Sequence, residues 1–401
     1  MNIVNYIKDK GLKRTILVIY QYKIDIVIQK ILYLFLKNKK LKNIIIIESH
    51  NDFDAEGGAF YDYLIKKGYN EKYKIIWLLK HKVNKKFKLP YNVRYFYIFK
   101  PSIMKDYYIN IAKIFTADNF ITPKLRDEQK SFFFRHGAGG LKNTKGIGRI
   151  PSTVDYILGM CEDYSDIERD QLSMSENDKR LVYLGFPSHD VLLSDNRDEL
   201  KKITDNKFRK VVLWMPTFRK GGGYNRNDSE REQPLGIPLI NDIKEYENLN
   251  ELLNNSNVLL IIKIHPMQNL EDLKIYDTSN IKVLTGDKVK QIRVDNYRLM
   301  SCCDAMISDY SGAAYEFIQL DRPLAYVLSD VNDYKLGFVV DDIEPLIAGK
   351  EIYNFKDLQD FINDVVLEKD EYKEKREKLR NIFYKYHDTN NCKRIVEFMG
   401  L

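Results

Sequence analysis

Three short polar clusters in this chain hold residue types that handle phosphate and protons, and each follows an apolar run of strand length. Ser308-Asp309-Tyr310-Ser311-Gly312-Ala313-Ala314-Tyr315-Glu316 follows Ala305-Met306-Ile307. Pro216-Thr217-Phe218-Arg219 closes a run that starts at Val211, and Lys263-Ile264-His265-Pro266 closes the run from Val258 to Ile262. The first cluster reads as strand, tight turn, helix. A helix that opens on Ser and Gly leaves backbone N–H groups unpaired, and the helix dipole adds partial positive charge there. An anion, phosphate above all, sits well at such a place. Ser308, Asp309 or Ser311 could each supply the N-cap oxygen. Capped turns of this kind are also ordinary in α/β domains, so the meaning comes from the set. In a parallel sheet, ligands bind at the carboxyl ends of strands. Arg219, Lys263, His265 and Ser311 are therefore expected to converge on one crevice.

The elements that must position these residues alternate between strand and helix. Apolar runs at 44–47, 75–79, 114–117, 131–134, 156–159 and 182–185 form a first set. Runs at 211–214, 258–263, 281–284, 305–307 and 324–328 form a second. Helical spacing is expected at 61–67, 101–113, 247–254, 296–302 and 312–320. Such alternation implies α/β architecture with parallel sheets. At 401 residues two domains are the natural expectation. We divide the chain into an amphipathic N-terminal segment (1–40), a first Rossmann-like domain (41–200), a second (201–380) and a C-terminal helix (381–401). The Lys- and Asp-rich stretch from Asp195 to Lys210 reads as the hinge. The glycine-rich stretch from Gly221 to Pro238 reads as a mobile loop.

Composition narrows the function classes. The chain has 64 basic and 57 acidic residues, a net charge of +7, with no basic block. That mild, dispersed excess does not describe a nucleic-acid binder, and it is compatible with an acidic substrate or an anionic membrane surface. Cys161, Cys302, Cys303 and Cys392 have neither metal-site nor disulfide-framework spacing, which fits a reducing cytoplasm. No metal site stands out, and no secretory signal is visible. Thr15 to Leu36 is rich in aliphatic and aromatic residues, but Lys23, Asp25 and Lys30 interrupt it, so it is a poor membrane span. As a helix it could lie flat on a bilayer, flanked by Lys8, Lys10, Lys13 and Arg14 before it and Lys37, Lys39 and Lys40 after it. A helix packed inside a globular domain is the other reading.

Through residues 44–345 the sequence resembles the CDP-glycerol glycerophosphotransferase family, the teichoic-acid primases and polymerases. Glu48 through Tyr63 resembles the family's first loop and helix. Phe134-Arg135-His136-Gly137-Ala138-Gly139-Gly140-Leu141-Lys142 stands where the family has His-Gly-Thr-Pro-Leu-Lys. Tyr183-Leu184-Gly185-Phe186-Pro187 with Asp190 resembles Gly-Tyr-Pro-Arg-x-Asp, and the three clusters above follow in the family order. Each motif is short, and five in order make the signal. Three positions depart: Ala138-Gly139 replaces Thr-Pro, Ser188 replaces Arg, and Gly312 replaces the second Ser. Two of these lie in the half expected to hold the acceptor. The fold this implies is GT-B-like, two Rossmann-like domains facing across a cleft.

The resemblance implies attack by an acceptor hydroxyl on the β-phosphorus of a CDP-activated polyol, with CMP leaving. Most of the rate gain in phosphoryl transfer comes from positioning and electrostatics. His136 is the candidate base, since imidazole can accept a proton near neutral pH. Gly137 lets the backbone come close to substrate. His265 is expected on the donor side, hydrogen-bonded to the diphosphate. Thr217, Arg219, Lys263, Ser311 and Gly312 are assigned to donor binding, Arg219 by gripping phosphate oxygens. Lys263 also reads as a strand residue on a solvated face. Asp309 is assigned to the donor side as a helix cap or as a group orienting His265. By analogy with GT-B enzymes, Glu316 is placed at the ribose hydroxyls. Lys142, with Lys145 and Arg149, reads either as a clamp for a polyanionic acceptor or as a solvated basic face.

The expected activity is transfer of glycerol phosphate, or ribitol phosphate, in synthesis of a teichoic-acid-like or capsular polymer. No cofactor is expected beyond the donor, CDP-glycerol or CDP-ribitol. The expected partners are a lipid-linked or polymeric phosphoglycan acceptor and an anionic membrane surface, with the protein peripheral on the inner face of the cell membrane. An ordinary UDP-sugar glycosyltransferase and a non-catalytic binder of nucleotide or anionic lipid are the competing readings.

Overall fold

The computed structural model describes residues 7, 11–83, 88–137, 139–146, 150–220, 227–229 and 231–401. Two parallel sheets dominate. The first contains β1 (Lys42–Glu48), β2 (Lys74–Leu79), β3 (Val93–Tyr97), β4 (Ala112–Ala117), β5 (Lys130–Phe133), β6 (Tyr156–Leu158) and β7 (Leu181–Val182). Their order is β3-β2-β1-β4-β5-β6-β7. The second contains β8 (Lys210–Trp214), β9 (Val258–Lys263), β10 (Ile281–Leu284), β11 (Ala305–Ser308), β12 (Leu324–Val327) and β13 (Lys350–Ile352), ordered β10-β9-β8-β11-β12-β13. This is the expected two-domain, GT-B-like α/β fold.

Continuous apolar strands such as Ile44–Ile47 and Val258–Ile262 suit sheets covered on both faces. In each sheet the strand order reverses once, between β1 and β4 and between β8 and β11. Crevices open at such switch points, outside the carboxyl ends of the strands. The first crevice is bounded by the loops after β1 and β4, the second by Met215–Arg219 and Asp309–Gly312.

One buried cluster joins the halves. It includes Ile45, Phe60, Phe134 and Phe186 of the first half and Leu213, Tyr297, Tyr315 and Phe317 of the second. The final helix, Asn391–Met399, returns to the first sheet, where Phe398 packs edge-on against Phe132 and Tyr156. That helix therefore packs on the first half, while Phe383 and Tyr384 before it pack against Tyr315 of the second.

Several sequence expectations need revision. β3 and β13 were not anticipated, because Val93–Tyr97 is only half-buried and Lys350–Ile352 is three residues long. The expected helix 101–113 ends at Ile111, and β4 starts directly at Ala112. Within the stretch read as a mobile loop, residues 221–226 and 230 lie outside the described residues. Leu235 and Ile237 of the same stretch, together with the following Leu239 and Ile240, are buried in the core of the second half.

The N-terminal helices turn their polar side inward. In the helix Ile24–Leu36, Asp25 is buried and ion-paired to Lys105 at 2.5 Å, and Gln29 donates to Asp106. Ile26, Val27, Ile31, Leu34 and Phe35 are exposed. The acidic residue that broke the apolar run in the sequence is thus an anchor to the helix Ile103–Ile111.

Candidate active site

The loop after β5 carries His136, which reaches solvent in the crevice. Its Nδ1 lies 3.2 Å from the backbone oxygen of Asp118, the first residue after β4. A carbonyl only accepts, so Nδ1 carries the proton and Nε2 of the neutral ring has the open lone pair. Desolvation by the crowded crevice holds the His136 pKa below its ordinary value, and the Arg135 and Lys80 charges push the same way. The carbonyl hydrogen bond opposes them in part. An imidazole that is neutral at pH 7 with Nε2 available is what a general base requires.

His265, after β9, has the opposite tautomer. Its Nδ1 accepts the Met267 N–H at 3.1 Å, which puts the proton of the neutral ring on Nε2. It is a donor, and it rests against Phe218 of the neighbouring loop with ring centroids 5.0 Å apart. Lys263, the last residue of β9, is buried, and burial lowers its pKa to about 8. Among the described residues it has no ion pair. The reading of Lys263 as a solvated strand residue is therefore wrong: its ammonium sits at a strand end in a dry setting, where phosphate would stabilise it.

The loop after β8 differs most from expectation. Arg219 is 1 % exposed. Its Nε and Nη2 donate to Asp330 at 2.6 and 3.0 Å, and its Nη1 donates to Asp309 and to the Thr217 carbonyl at 3.0 and 2.9 Å. Four of its five N–H groups are engaged, and two carboxylates balance its charge. Thr217 is consumed too, with its N–H and hydroxyl both donating to Asp309. Ser311 rather than Asp309 is the N-cap of the following helix, and Asp309, bonded to Thr217 and Arg219, joins the turn after β11 to the loop after β8. These three residues bond to one another and to Asp330 at the carboxyl end of the second sheet.

Ser311 is the N-cap of the helix Gly312–Ile318, its Oγ accepting the Ala313 N–H. Asp309 was one of three candidates for that role, and Ser308 instead donates its hydroxyl to the Met215 carbonyl. Gly312 is the first residue of that helix. The Gly140 backbone lies over it, so close that a Cβ on Gly140 would sit 2.9 Å from the Gly312 nitrogen.

Glu316, assigned above to the ribose hydroxyls, is buried and paired with His189. Burial disfavours charge on His189, but the Glu316 carboxylate outweighs it and raises the pKa. The network continues through Gln319 and His387 on one side. On the other lies Glu56, which accepts from the Ser188 N–H and hydroxyl and from Tyr297. Burial first, then repulsion from Glu316, lifts the Glu56 pKa to about 7. Ser188, which replaces the family's arginine, thus serves a buried carboxylate. Gly137 packs beside this network: a Cβ there would lie 3.2 Å from Glu316 Oε1, and its φ is +98°.

Lys142 sits in a short antiparallel bridge with Phe338, in the segment where Asn143 N–H and Val339 N–H bond across the two halves. It belongs to the seam between them. Lys145 pairs with Asp170, and Arg149 lies outside the described residues. A cavity of about 400 Å³ lies at the ends of β12 and β13, lined by Arg231, Gln233, Tyr353 and Lys356 and reaching Asp330.

His136 stands at the carboxyl end of the first sheet, and His265 with the buried Lys263 stands at that of the second. The profile of the family described as CDP-Glycerol:Poly(glycerophosphate) glycerophosphotransferase matches residues 30–400. The chain belongs to this family. It is a transferase that moves polyol phosphate from a CDP-polyol in teichoic acid synthesis. This glycerophosphotransferase is 25% identical to the teichoic acid glycerol-phosphate primase of Bacillus subtilis (strain 168) over 315 residues, 72% of this chain and 73% of that protein. It is 24% identical to the teichoic acid poly(glycerol phosphate) polymerase of Bacillus spizizenii, over 77% of this chain and 79% of that one. The teichoic acid ribitol-phosphate polymerase TarL of Staphylococcus aureus is 27% identical over 55% of this chain and 37% of its own. The solved wall teichoic acid polymerase TagF superposes with a TM-score of 0.72 at 18% identity, covering 100% of this chain and 98% of that one, which establishes the shared fold.

Proposed function

We propose that this glycerophosphotransferase extends or primes a polyol-phosphate chain with glycerol phosphate from CDP-glycerol, on a lipid-linked acceptor at an anionic membrane surface. The observation that carries the reading is the tautomer of His136. With Nδ1 bonded to the Asp118 carbonyl, Nε2 can take the proton of an acceptor hydroxyl. The hydroxyl oxygen then bonds to the β-phosphorus, the bond from that phosphorus to the bridging oxygen breaks, and CMP departs. The Nε2–H of His265 and the Lys263 ammonium face the charge that grows on the departing phosphate.

Glycerol rather than ribitol is supported by the family's description and by the B. subtilis and B. spizizenii relatives, while TarL keeps ribitol as the second reading. The membrane reading rests on the exposed apolar residues of Ile24–Leu36 and the neighbouring Lys13, Arg14, Lys37, Lys39 and Lys40. No described helix is long and apolar enough to cross a membrane.

The test is CMP release by purified enzyme given CDP-glycerol, CDP-ribitol or UDP-glucose with a lipid-linked polyol-phosphate acceptor. Acceptor-dependent CMP from CDP-glycerol is expected. CMP from CDP-ribitol alone would transfer the assignment to ribitol. Full turnover by His136→Ala would remove the base.

A further inference from the structure

His50 was not among the residues singled out from the sequence. It is the second residue after β1, at the switch point of the first sheet, and is exposed to the same crevice as His136. The two imidazoles stack, with centroids 5.5 Å apart and planes 16° from parallel. Consecutive residues of the loop after β4 hold them. The Asp118 carbonyl takes the Nδ1 proton of His136, and the Asn119 side-chain amide donates to Nδ1 of His50. The neutral rings therefore carry complementary edges: an accepting Nε2 on His136 and a donating Nε2–H on His50.

The loop that presents His50 is held firmly and at a cost. Asp52, Phe53 and Ala55 all have positive φ (69°, 57° and 48°), and so does Arg135 (67°), just before His136. Non-glycine residues in this region are strained and persist only where surrounding contacts over-determine them, a condition concentrated at functional sites. Those contacts are present. Asp52 accepts the N–H groups of Lys80 and His81, and Asp54 binds Ser49 and Asn51. The Lys80 ammonium holds the carbonyls of Ser49 and His50 at 2.6 and 3.0 Å and pairs with Glu48.

We propose that His50 is a second imidazole of the acceptor subsite. Its Nε2–H hydrogen-bonds the oxygen vicinal to the attacking hydroxyl of the incoming polyol, while His136 Nε2 receives the proton from that hydroxyl. A terminal 1,2-diol matches two imidazole edges lying side by side. The proposal rests on the reading of His136 as base. The crowding of the crevice and the nearby His136 and Lys80 charges keep His50 below its ordinary pKa, with Asp54 opposing, so it remains a neutral donor as His136 turns over.

The test uses His50→Phe, which keeps a stacking ring, and His50→Gln, which keeps an N–H. Each is assayed with CDP-glycerol and two synthetic glycerol-phosphate oligomers, one ending in a 1,2-diol and one in a single hydroxyl. His50→Phe is expected to raise KM for the diol acceptor about tenfold, to leave KM for CDP-glycerol within twofold, and to erase the preference for the diol. His50→Gln should recover part of that preference. An unchanged acceptor KM in both variants, or an equal loss on both oligomers, would overturn the role of His50. His136→Ala reports separately: full turnover there removes the base whatever His50 does, and a dead His136→Ala beside a normal His50→Phe removes His50 alone.

Discussion

Gly140 of the first half and Gly312 of the second meet backbone to backbone, where a Cβ on Gly140 would stand 2.9 Å from the Gly312 nitrogen and 3.0 Å from its Cα. The loop that carries the candidate base is thereby seated on the turn that opens the helix Gly312–Ile318. Both partners here are main chain, which cannot swing aside. Gly140→Ala must push the loops apart by several tenths of an ångström. Misplacements near 1 Å at a reacting centre cost on the order of 10²-fold. We expect Gly140→Ala to lower kcat by about 10- to 100-fold with little change in melting temperature, measured by CMP release beside thermal unfolding.

The pH dependence of turnover should have two limbs. His136 must be neutral to act, and its pKa lies below 6.5, so activity falls only on the acid side of that value. Lys263 must be charged to hold the donor, and its pKa in the free protein is about 8. KM for the CDP-polyol should therefore climb as pH rises past about 8. Lys263→Met should raise donor KM roughly 10- to 100-fold at pH 7, the weight of one charged hydrogen bond, and remove the alkaline limb. A donor KM that still rises above pH 8 in Lys263→Met would assign that limb elsewhere.

Folding stability should fall between pH 4.5 and 7. Glu56 goes from an ordinary 4.5 to about 7 on burial. Over that window the folded chain keeps a proton that the unfolded chain has lost, so raising the pH favours unfolding. The contribution is complete below 4.5 and lost above 7, and it amounts to roughly 3 kcal/mol at 1.36 kcal/mol per pH unit. The raised pKa of His189 acts in the same direction. Denaturant unfolding at pH 5, 6 and 7.5 should show the slope, and Glu56→Gln should flatten it.

Arg219 should prove structural. Asp309→Ala leaves its guanidinium partly uncompensated in a buried setting and strips both Thr217 donors of their acceptor. Breaking a buried pair by removing one partner costs about 3–5 kcal/mol. Arg219→Lys loses the fork that spans Asp309 and Asp330. Both variants should lower the melting temperature by several degrees, with CDP-polyol KM changing far less in whatever fraction stays folded. A stable Arg219→Lys protein with a greatly raised donor KM would return Arg219 to the phosphate.

Vesicle binding should depend on the outward face of Ile24–Leu36. Ile31→Asp with Phe35→Asp places two charges among exposed apolar side chains without touching the Asp25–Lys105 anchor. Co-sedimentation with vesicles containing anionic lipid should drop at least tenfold, while CMP release with a soluble acceptor stays within twofold.

The class of the molecule was legible from the residues alone. Unbroken apolar strands ending in polar clusters dictate parallel sheets with ligands at their carboxyl ends, and the ordered motifs around His136, His265 and Ser311 sufficed to place the family. Strand order, however, is a property of the folded sheet. The reversal between β1 and β4 is what brings His50 beside His136, and residues 86 positions apart leave no local trace of stacking. Burial likewise lies outside any motif. Arg219 and Glu316 have the right chemistry for a ligand, but Asp330 and His189, distant in the chain, reach them first. Spacing could state which residues stand at strand ends. Only packing decided which of them still face the cleft, because a charged group that finds a partner within the fold no longer has its charge to offer a substrate.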